Sequence, residues 1–322
     1  MQHETKKYGF RENSEEFPLM CVIGLSYVCN SRCPHCPYTG SDIRSQYKDK
    51  LFMREDTFKI IADQCGEHNA WVRISGAGEP MLHKQAVELM EYAKDVGARV
   101  GLITNGSMFT PEKITRILQA EVDMVEISVD AGDAETYAVF REGLSWDKLL
   151  TDVKLLVKRR NQLQSGTKII ASAVNQQGID IEKLVNFWST LVDDVQVRKF
   201  LTWGGLSENK SADSSYYLDP EKQVPCPFIF ERLNIDSDGR VILCGFDIEG
   251  ITNLGNIHQK SIKEIWHDKE FRYFRDMHLQ NRGHEIEMCS QCTDWKYRSW
   301  KHNYWKIVKK AESKRRQSIG SK

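Results

Sequence analysis

Between Leu19 and Phe200, short apolar runs alternate with stretches in which apolar residues recur every three or four positions. The runs at 19–28 (LMCVIGLSYV), 71–75 (WVRIS), 98–104 (ARVGLIT), 122–130 (VDMVEISVD), 167–175 (TKIIASAVN) and 193–200 (DDVQVRKF) predict six strands. The intervening segments 54–68, 83–97, 110–120, 145–162 and 180–192 carry helical spacing and predict five helices. Thr110 before Pro111 is an N-cap followed by proline at the first helical position, and Gly97 suits the end of the second helix. Strands and helices in strict alternation imply a parallel sheet with right-handed crossovers, in a barrel-like or a doubly wound arrangement. Either places the ligand site where the strands end.

The pattern changes near residue 204. Residues 205–225 are polar and turn-rich and read as a linker; LNIDSDGRVILC predicts a hairpin turning at Asp238-Gly239, and residues 261–280 predict a helix. The organisation expected is a polar extension (1–18), an α/β unit (19–204), the linker, a small hairpin-plus-helix unit (226–300) and a basic, aromatic tail (301–322).

Composition adds constraints. No run approaches the roughly 18 apolar residues of a membrane span, and the N-terminus lacks the apolar core of a signal peptide, so a cytoplasmic protein with no membrane partner is expected. Charge balances at 45 basic against 45 acidic residues, yet Lys296–Lys322 holds ten Lys or Arg and a single acid, Glu312. Trp295, Trp300 and Trp305 among those cations could stack on RNA bases, but helix packing explains them as well, and nucleic acid is not the expected partner. Nine cysteines without an export signal point to metal or redox chemistry rather than disulfides.

Three of them, in CNSRCPHC, fall just past the first predicted strand. Cys29, Cys33 and Cys36 are one ligand short of a closed tetrahedral site, and His35, adjacent to Cys36, would strain the chain if both bound zinc. A [4Fe–4S] cluster held by three thiolates leaves one iron open to a small molecule.

This C-x3-C-x2-C spacing after the first strand of a six-unit α/β fold resembles the radical S-adenosylmethionine (radical SAM) superfamily. The resemblance implies a partial (β/α)6 TIM-like barrel whose open iron is chelated by the methionine part of SAM. Reductive cleavage then yields a 5′-deoxyadenosyl radical that takes hydrogen from substrate. His35 stands where the family keeps an aromatic near adenine. The segment Gly76, Ala77, Gly78, Glu79 and Pro80 is similar to the family's Gly-Gly-Glu-Pro, with Glu79 an acceptor for the SAM ammonium. Thr104 and Asn105 end the third strand. Glu126, Ser128 and Asp130 alternate onto one face of the fourth, where Ser128 and Asp130 would serve ribose hydroxyls. Arg141 would pair with the SAM carboxylate, and Asn175 is an adenine-side candidate.

Cys226, Cys244, Cys289 and Cys292 form a second set. Four thiolates make a closed site suited to zinc or to a fully ligated [4Fe–4S] cluster. CPFIFERLNIDSDGRVILCGFD resembles the opening of SPASM or twitch auxiliary-cluster domains. No cysteine follows Cys292, so a single auxiliary cluster is expected, as in the shortened relatives of cyclitol-dehydrogenase type. Cys21 and Cys65 read as packed thiols.

The reaction implied is dehydrogenation of a secondary alcohol on a sugar or aminocyclitol, phosphorylated or nucleotide-linked forms included, with the auxiliary cluster accepting an electron. Glu126, Arg198, Lys199 and Asp247 are the candidate bases. Epimerisation of a carbohydrate or peptide needs a hydrogen donor, and maturation of a peptide usually goes with a leader-binding module for which residues 1–18 leave no space. A flavodoxin or ferredoxin is the electron donor implied.

Overall fold

The computed structural model describes residues 14–39, 50–205, 225–248, 250–290 and 292. Most of the linker and the whole basic tail lie outside the described residues.

An eight-stranded sheet organises the chain: β1 (Met20–Gly24), β2 (Trp71–Ser75), β3 (Arg99–Thr104), β4 (Met124–Ser128), β5 (Lys168–Asn175), β6 (Asp194–Lys199), β7 (Arg232–Ile235) and β8 (Val241–Ile242). Its order is β6-β5-β4-β3-β2-β1-β7-β8. Strands β1 to β6 pair in parallel with their sequence neighbours, which is the partial barrel expected. Helices α1 (Glu55–Glu67), α2 (Ala86–Asp95), α3 (Pro111–Gln119), α4 (Ala134–Phe140), α5 (Trp146–Leu163) and α6 (Ile181–Trp188) make the crossovers. Side-chain caps start them where the sequence suggests: Thr110 accepts from the Lys113 amide at 3.2 Å, and Asp180 from Lys183 at 2.9 Å. Gly97, at φ 89°, follows the end of α2.

Three features depart from the sequence expectation. The first strand stops at Gly24, not near Val28; Leu25 and Tyr27 are buried, but in a loop that exchanges backbone hydrogen bonds with Leu51 and Met53. Hydrophobicity there marks burial and not strand. The helix expected over 261–280 is two, α7 (Ile262–Trp266) and α8 (Lys269–Leu279), because the Asp268 carboxylate caps the Lys269 amide and restarts the chain. The hairpin β7–β8 is antiparallel, as Asp238-Gly239 predicts, but β7 also pairs in parallel with β1, so the sheet runs on from the barrel into the second cysteine region.

Alternation along the strands gives the barrel interior its layers. Met20, Trp71, Met124 and Ile170 pack into a small apolar cluster on the inward side. Two residues further along each strand, Val22, Arg73, Glu126 and Ser172 line an open cavity above that floor. The opposite faces, including Ile23, Val72, Val100, Val125 and Ile169, join the main core beneath the helices. An apolar floor under a polar upper interior puts ligand chemistry at the carboxyl ends of the strands.

Candidate active site

The cavity above the floor has a volume of about 380 Å³. Cys29, Cys33 and Cys36 line one side of it, on the loop after β1. Burial pushes the Cys29 and Cys36 thiols above the ordinary value, and the neighbouring sulfurs push the same way. Arg141 Nη1 donates to Cys33 Sγ at 3.4 Å, and Ser31 Oγ lies 3.2 Å from the same sulfur. Three thiols sharing one cavity fit a cationic iron–sulfur core, whose charge would stabilise the thiolates.

The glycine-rich turn after β2 packs on the base of this loop. A Cβ at Gly78 would stand 2.3 Å from the Val28 carbonyl oxygen, and the Glu79 amide donates to that oxygen at 2.8 Å. The close approach here is to the chain's own backbone. Glu79 is buried and accepts from Met81 N at 3.0 Å, Thr104 Oγ1 at 2.6 Å and Asn105 N at 2.7 Å. Burial still holds its carboxyl above the usual carboxylate range. Its network ties the ends of β2 and β3 together, and a carboxylate has acceptor capacity left for an ammonium.

Asp130 sits just past β4 in the left-handed region, at φ 47°, fully buried. A non-glycine residue held there signals a local demand strong enough to outweigh the backbone cost. Its carboxylate is paired with Arg141, accepts from Val174 N at 2.7 Å and lies 3.5 Å from His35 Nε2. Gln176 Nε2 meets His35 Nδ1 at 3.2 Å, and Trp203 Nε1 donates to the His35 carbonyl at 3.1 Å. Burial pushes the His35 pKa down, favouring the neutral ring. Asp130 and Arg141, expected to face two different parts of one ligand, thus face each other.

Deeper in the cavity Arg198 Nη2 reaches both Glu126 oxygens, at 2.6 and 2.7 Å. Burial pushes the Glu126 carboxyl up, but Arg198 and Arg73 outweigh it and leave it below the usual range. Ser128 and Lys199 also line the cavity. So do two residues from the hairpin side, Asn234 and Asp236. Asp236 accepts from the Tyr27 hydroxyl at 2.5 Å and from Arg240 at 2.6 Å, and its burial holds the carboxyl above the ordinary value.

Three expected site residues lie elsewhere. Asp247 does not line the cavity: its carboxylate is taken by the Ile251 and Thr252 amides, at 2.7 and 2.8 Å, and by the Thr252 hydroxyl. Asn175, the last residue of β5, does not line the cavity, whereas Ser172, Ala173 and Val174 before it do. Pro80 is buried at the start of a short 3-10 turn and fixes the chain behind Glu79. Arg73, Tyr27 and Asp236 escaped the sequence reading. Arg73 had a signal, a cation two residues from each of Trp71 and Ser75 on the inward side of WVRIS. Asp236 had none, because it reads as part of a turn.

Cys226, Cys244, Cys289 and Cys292 gather around a second, smaller cavity walled by Ile229, Leu243, Phe246 and Met288. Four thiols in an apolar shell offer the donor set of a closed iron–sulfur cluster. Phe246 lines both cavities. Cys21 and Cys65 are fully buried and line neither.

Comparison with known proteins identifies the family and the fold. Residues 23–184 match the family model of the radical SAM superfamily. The chain belongs to the radical SAM superfamily. Residues 226–293 match the SPASM model, an iron–sulfur cluster-binding domain. As a radical SAM enzyme with a SPASM segment it uses S-adenosylmethionine, a [4Fe–4S] cluster and auxiliary iron–sulfur chemistry. The AdoMet-dependent heme synthase of Methanosarcina barkeri is 29% identical over 154 residues, covering 47% of this chain and 43% of that protein. The chain therefore matches less than half the length of that relative. Among solved structures, BtrN in complex with AdoMet and 2-DOIA aligns at TM-score 0.58 and 17% identity, over 88% of this chain and 97% of that one. SuiB of Streptococcus suis, bound to the precursor peptide SuiA, aligns at 0.67 and 16%, over 95% and 75%. The protein anSMEcpe with bound AdoMet aligns at 0.60 and 17%, over 91% and 95%. These likenesses are of fold. No helix among the described residues is long and apolar enough to cross a membrane.

Proposed function

We propose that this radical SAM enzyme dehydrogenates a secondary alcohol of a sugar or aminocyclitol. The observation that carries the reading is Phe246, which lines both the open cavity and the four-cysteine cavity, so that a redox centre held by those four thiols would stand one side chain from a substrate in the open cavity. In this reading Cys29, Cys33 and Cys36 hold the SAM-binding cluster, and Cys226, Cys244, Cys289 and Cys292 hold the auxiliary one. Bound, these groups would supply hydrogen abstraction from the substrate and an acceptor for the electron left behind.

The chain's own residues do the rest. Glu79, with Thr104 and Asn105 behind it, receives the SAM ammonium. Ser128 and the Asp130–Arg141 pair orient the remainder of the cofactor, and His35 packs beside it. Removing two hydrogens from a carbinol requires a proton acceptor at its hydroxyl. Asp236 suits that role: it lines the cavity and burial raises its pKa, whereas Glu126 lies under two guanidiniums that lower its own. Epimerisation lacks its usual thiol donor, since the two spare cysteines are sealed in the core. A one-electron donor of the flavodoxin or ferredoxin type completes the set.

The test is anaerobic reconstitution followed by iron and sulfide analysis, for which about eight irons per chain are expected, and turnover on a panel of carbon-deuterated cyclitols and sugars. Deuterium passing into 5′-deoxyadenosine together with a ketone product supports the reading. Solvent deuterium in a product of unchanged oxidation state points to epimerisation, and modification of a peptide substrate alone points to maturation; either defeats it. Asp236→Asn is expected to lower ketone formation by about 10²-fold or more while iron content is unchanged. An unaltered ketone rate in that variant removes Asp236 as the base.

A further inference from the structure

Of the three thiols of the open site, Cys33 is buried while Cys29 and Cys36 are half-buried. Donors that reach Cys29 and Cys36 come from their own loop: the Ser31 amide for the first, the Tyr38 amide and Thr39 hydroxyl for the second. Cys33 is tied further afield. Arg141, 108 positions along the chain, donates from Nη1 to Cys33 Sγ at 3.4 Å. Nη2 of the same guanidinium is paired with Asp130, and the side chain is only 11% exposed. One planar fork thus holds a carboxylate with one arm and a sulfur with the other.

Ser31 Oγ stands 3.2 Å from the same sulfur and 3.1 Å from the Glu142 carbonyl oxygen. A hydroxyl has one proton, so it cannot serve both. While Cys33 is a thiol, its S–H can point at Ser31 Oγ and the hydroxyl proton at Glu142. A sulfur bound to iron has lost that proton and can only accept. The hydroxyl is then free to turn, because the Glu142 carbonyl keeps the Arg32 amide, which donates to it at 3.0 Å. Arg141 and Glu142 belong to one turn after α4, and Gly143, at φ 90°, lets that turn lie against the cysteine loop. A Cβ there would stand 3.2 Å from the Asn30 carbonyl oxygen.

We propose that Ser31 and Arg141 are positioning residues that set the reduction potential of the open cluster through Cys33 Sγ. Reduction adds an electron whose charge is shared by the sulfurs, so a donor aimed at a sulfur stabilises the reduced form more than the oxidised one and raises the potential. Burial strengthens each of these hydrogen bonds. The guanidinium, being charged, outweighs the hydroxyl. The proposal rests on the reading that Cys29, Cys33 and Cys36 hold the SAM-binding cluster, and is independent of what the substrate is.

The experiment is a potentiometric titration of the reconstituted holoenzyme followed by electron paramagnetic resonance. The open cluster is the one whose reduced signal changes when SAM is added, and the four-cysteine cluster serves as internal reference. Ser31→Ala is expected to lower the open cluster's potential, changing its oxidised-to-reduced ratio at a fixed potential by about threefold, roughly half of the 59 mV that marks tenfold for one electron. Arg141→Gln is expected to lower it by about tenfold or more, but it breaks a buried pair and risks misfolding. Ser31 therefore carries the test. Ser31→Thr keeps the hydroxyl and is expected to keep the parental potential. A Ser31→Ala potential equal to the parent's overturns the proposal, as does the same drop in Ser31→Thr or an equal drop in the reference cluster. Loss of iron from Ser31→Ala would make the hydroxyl a brace for the loop and overturns it too. A holoenzyme in which no reduced cluster responds to SAM overturns the cysteine assignment with it, whereas the ketone assay tests the substrate reading separately.

Discussion

The two cysteine sets are built from the same ligand and surrounded by opposite chemistry. Around Cys29, Cys33 and Cys36 the walls carry Glu79, Asp130, Arg141 and His35, and the cavity opens to the strand ends. Around Cys226, Cys244, Cys289 and Cys292 the walls are Ile229, Leu243, Phe246 and Met288, and among the described residues lining it the titratable side chain besides the thiols is His278, whose pKa is pushed down to about 4 by burial, so that it is neutral at pH 7. The contrast separates two jobs. A site short of one thiolate must also supply charges to hold the zwitterion that completes it. A site with four thiolates needs only to be sealed.

Removing ligands breaks the comparison most sharply. Cys33→Ala is expected to lower 5′-deoxyadenosine formation at least about a thousandfold, because the three thiols act as one unit, while iron at the four-cysteine site stays. The double change Cys226→Ala with Cys244→Ala should do the reverse, removing about half the iron and the ketone while SAM cleavage continues. Iron analysis and chromatography of 5′-deoxyadenosine check both. Identical losses from the two variants would mean that the sites are not independent.

A second test keeps the thiols and removes the charges. Asp130 is fully buried, and Arg141→Met leaves its carboxylate facing only His35 and a backbone amide. Breaking a buried pair by removing one partner costs about 3–5 kcal/mol, which a urea titration of the reconstituted enzyme would read directly. Among the described residues no comparable charge pair walls the four-cysteine cavity, so its cluster absorption should persist until global unfolding.

The strands of the first region were legible because each is a short apolar run closed by polar residues, and five of the six fall within two residues of their expected ends. The Cys29–Cys36 spacing was legible for the same reason: it is local. What the sequence hid is what distance in the chain hides. The pairing of β1 with β7 joins Met20 to Arg232, and the Tyr27–Asp236 hydrogen bond spans 209 positions, so neither leaves a periodic trace. Short α4 was also missed, although Asp133, accepting from the Thr136 amide at 2.8 Å, is a regular cap. Asp247 was expected at the barrel mouth, but its carboxylate is spent on the Ile251 and Thr252 amides, the geometry of a turn brace.

Gly78 tests how tightly the open site is braced. With a Cβ 2.3 Å from a backbone oxygen, neither side chain nor rotamer change relieves the clash, and Gly78→Ala should cost about 1–3 kcal/mol. The turn moves relative to the cysteine loop, so SAM affinity should fall as well. Iron at the four-cysteine site should not. A variant with parental stability and SAM affinity would show that the turn does not set the loop.

The smallest effect compares two carboxylates in one cavity. Glu126 has its pKa lowered in the fold, burial being outweighed by Arg198 and Arg73, so its contribution to stability is present above the unfolded value of about 4.3 and is lost as pH falls through the folded value. Asp236 is raised, chiefly by burial, so the folded state holds its proton longer than the unfolded chain, and stability falls as pH rises from about 3.9 through the folded value. Glu126→Gln should therefore flatten the rise in urea midpoint between acid and neutral pH, and Asp236→Asn should steepen it. Each change is on the order of 1 kcal/mol. Slopes moving in the same direction would place both groups in one electrostatic environment and remove the distinction between the carboxylate lowered by guanidiniums and the one raised by burial.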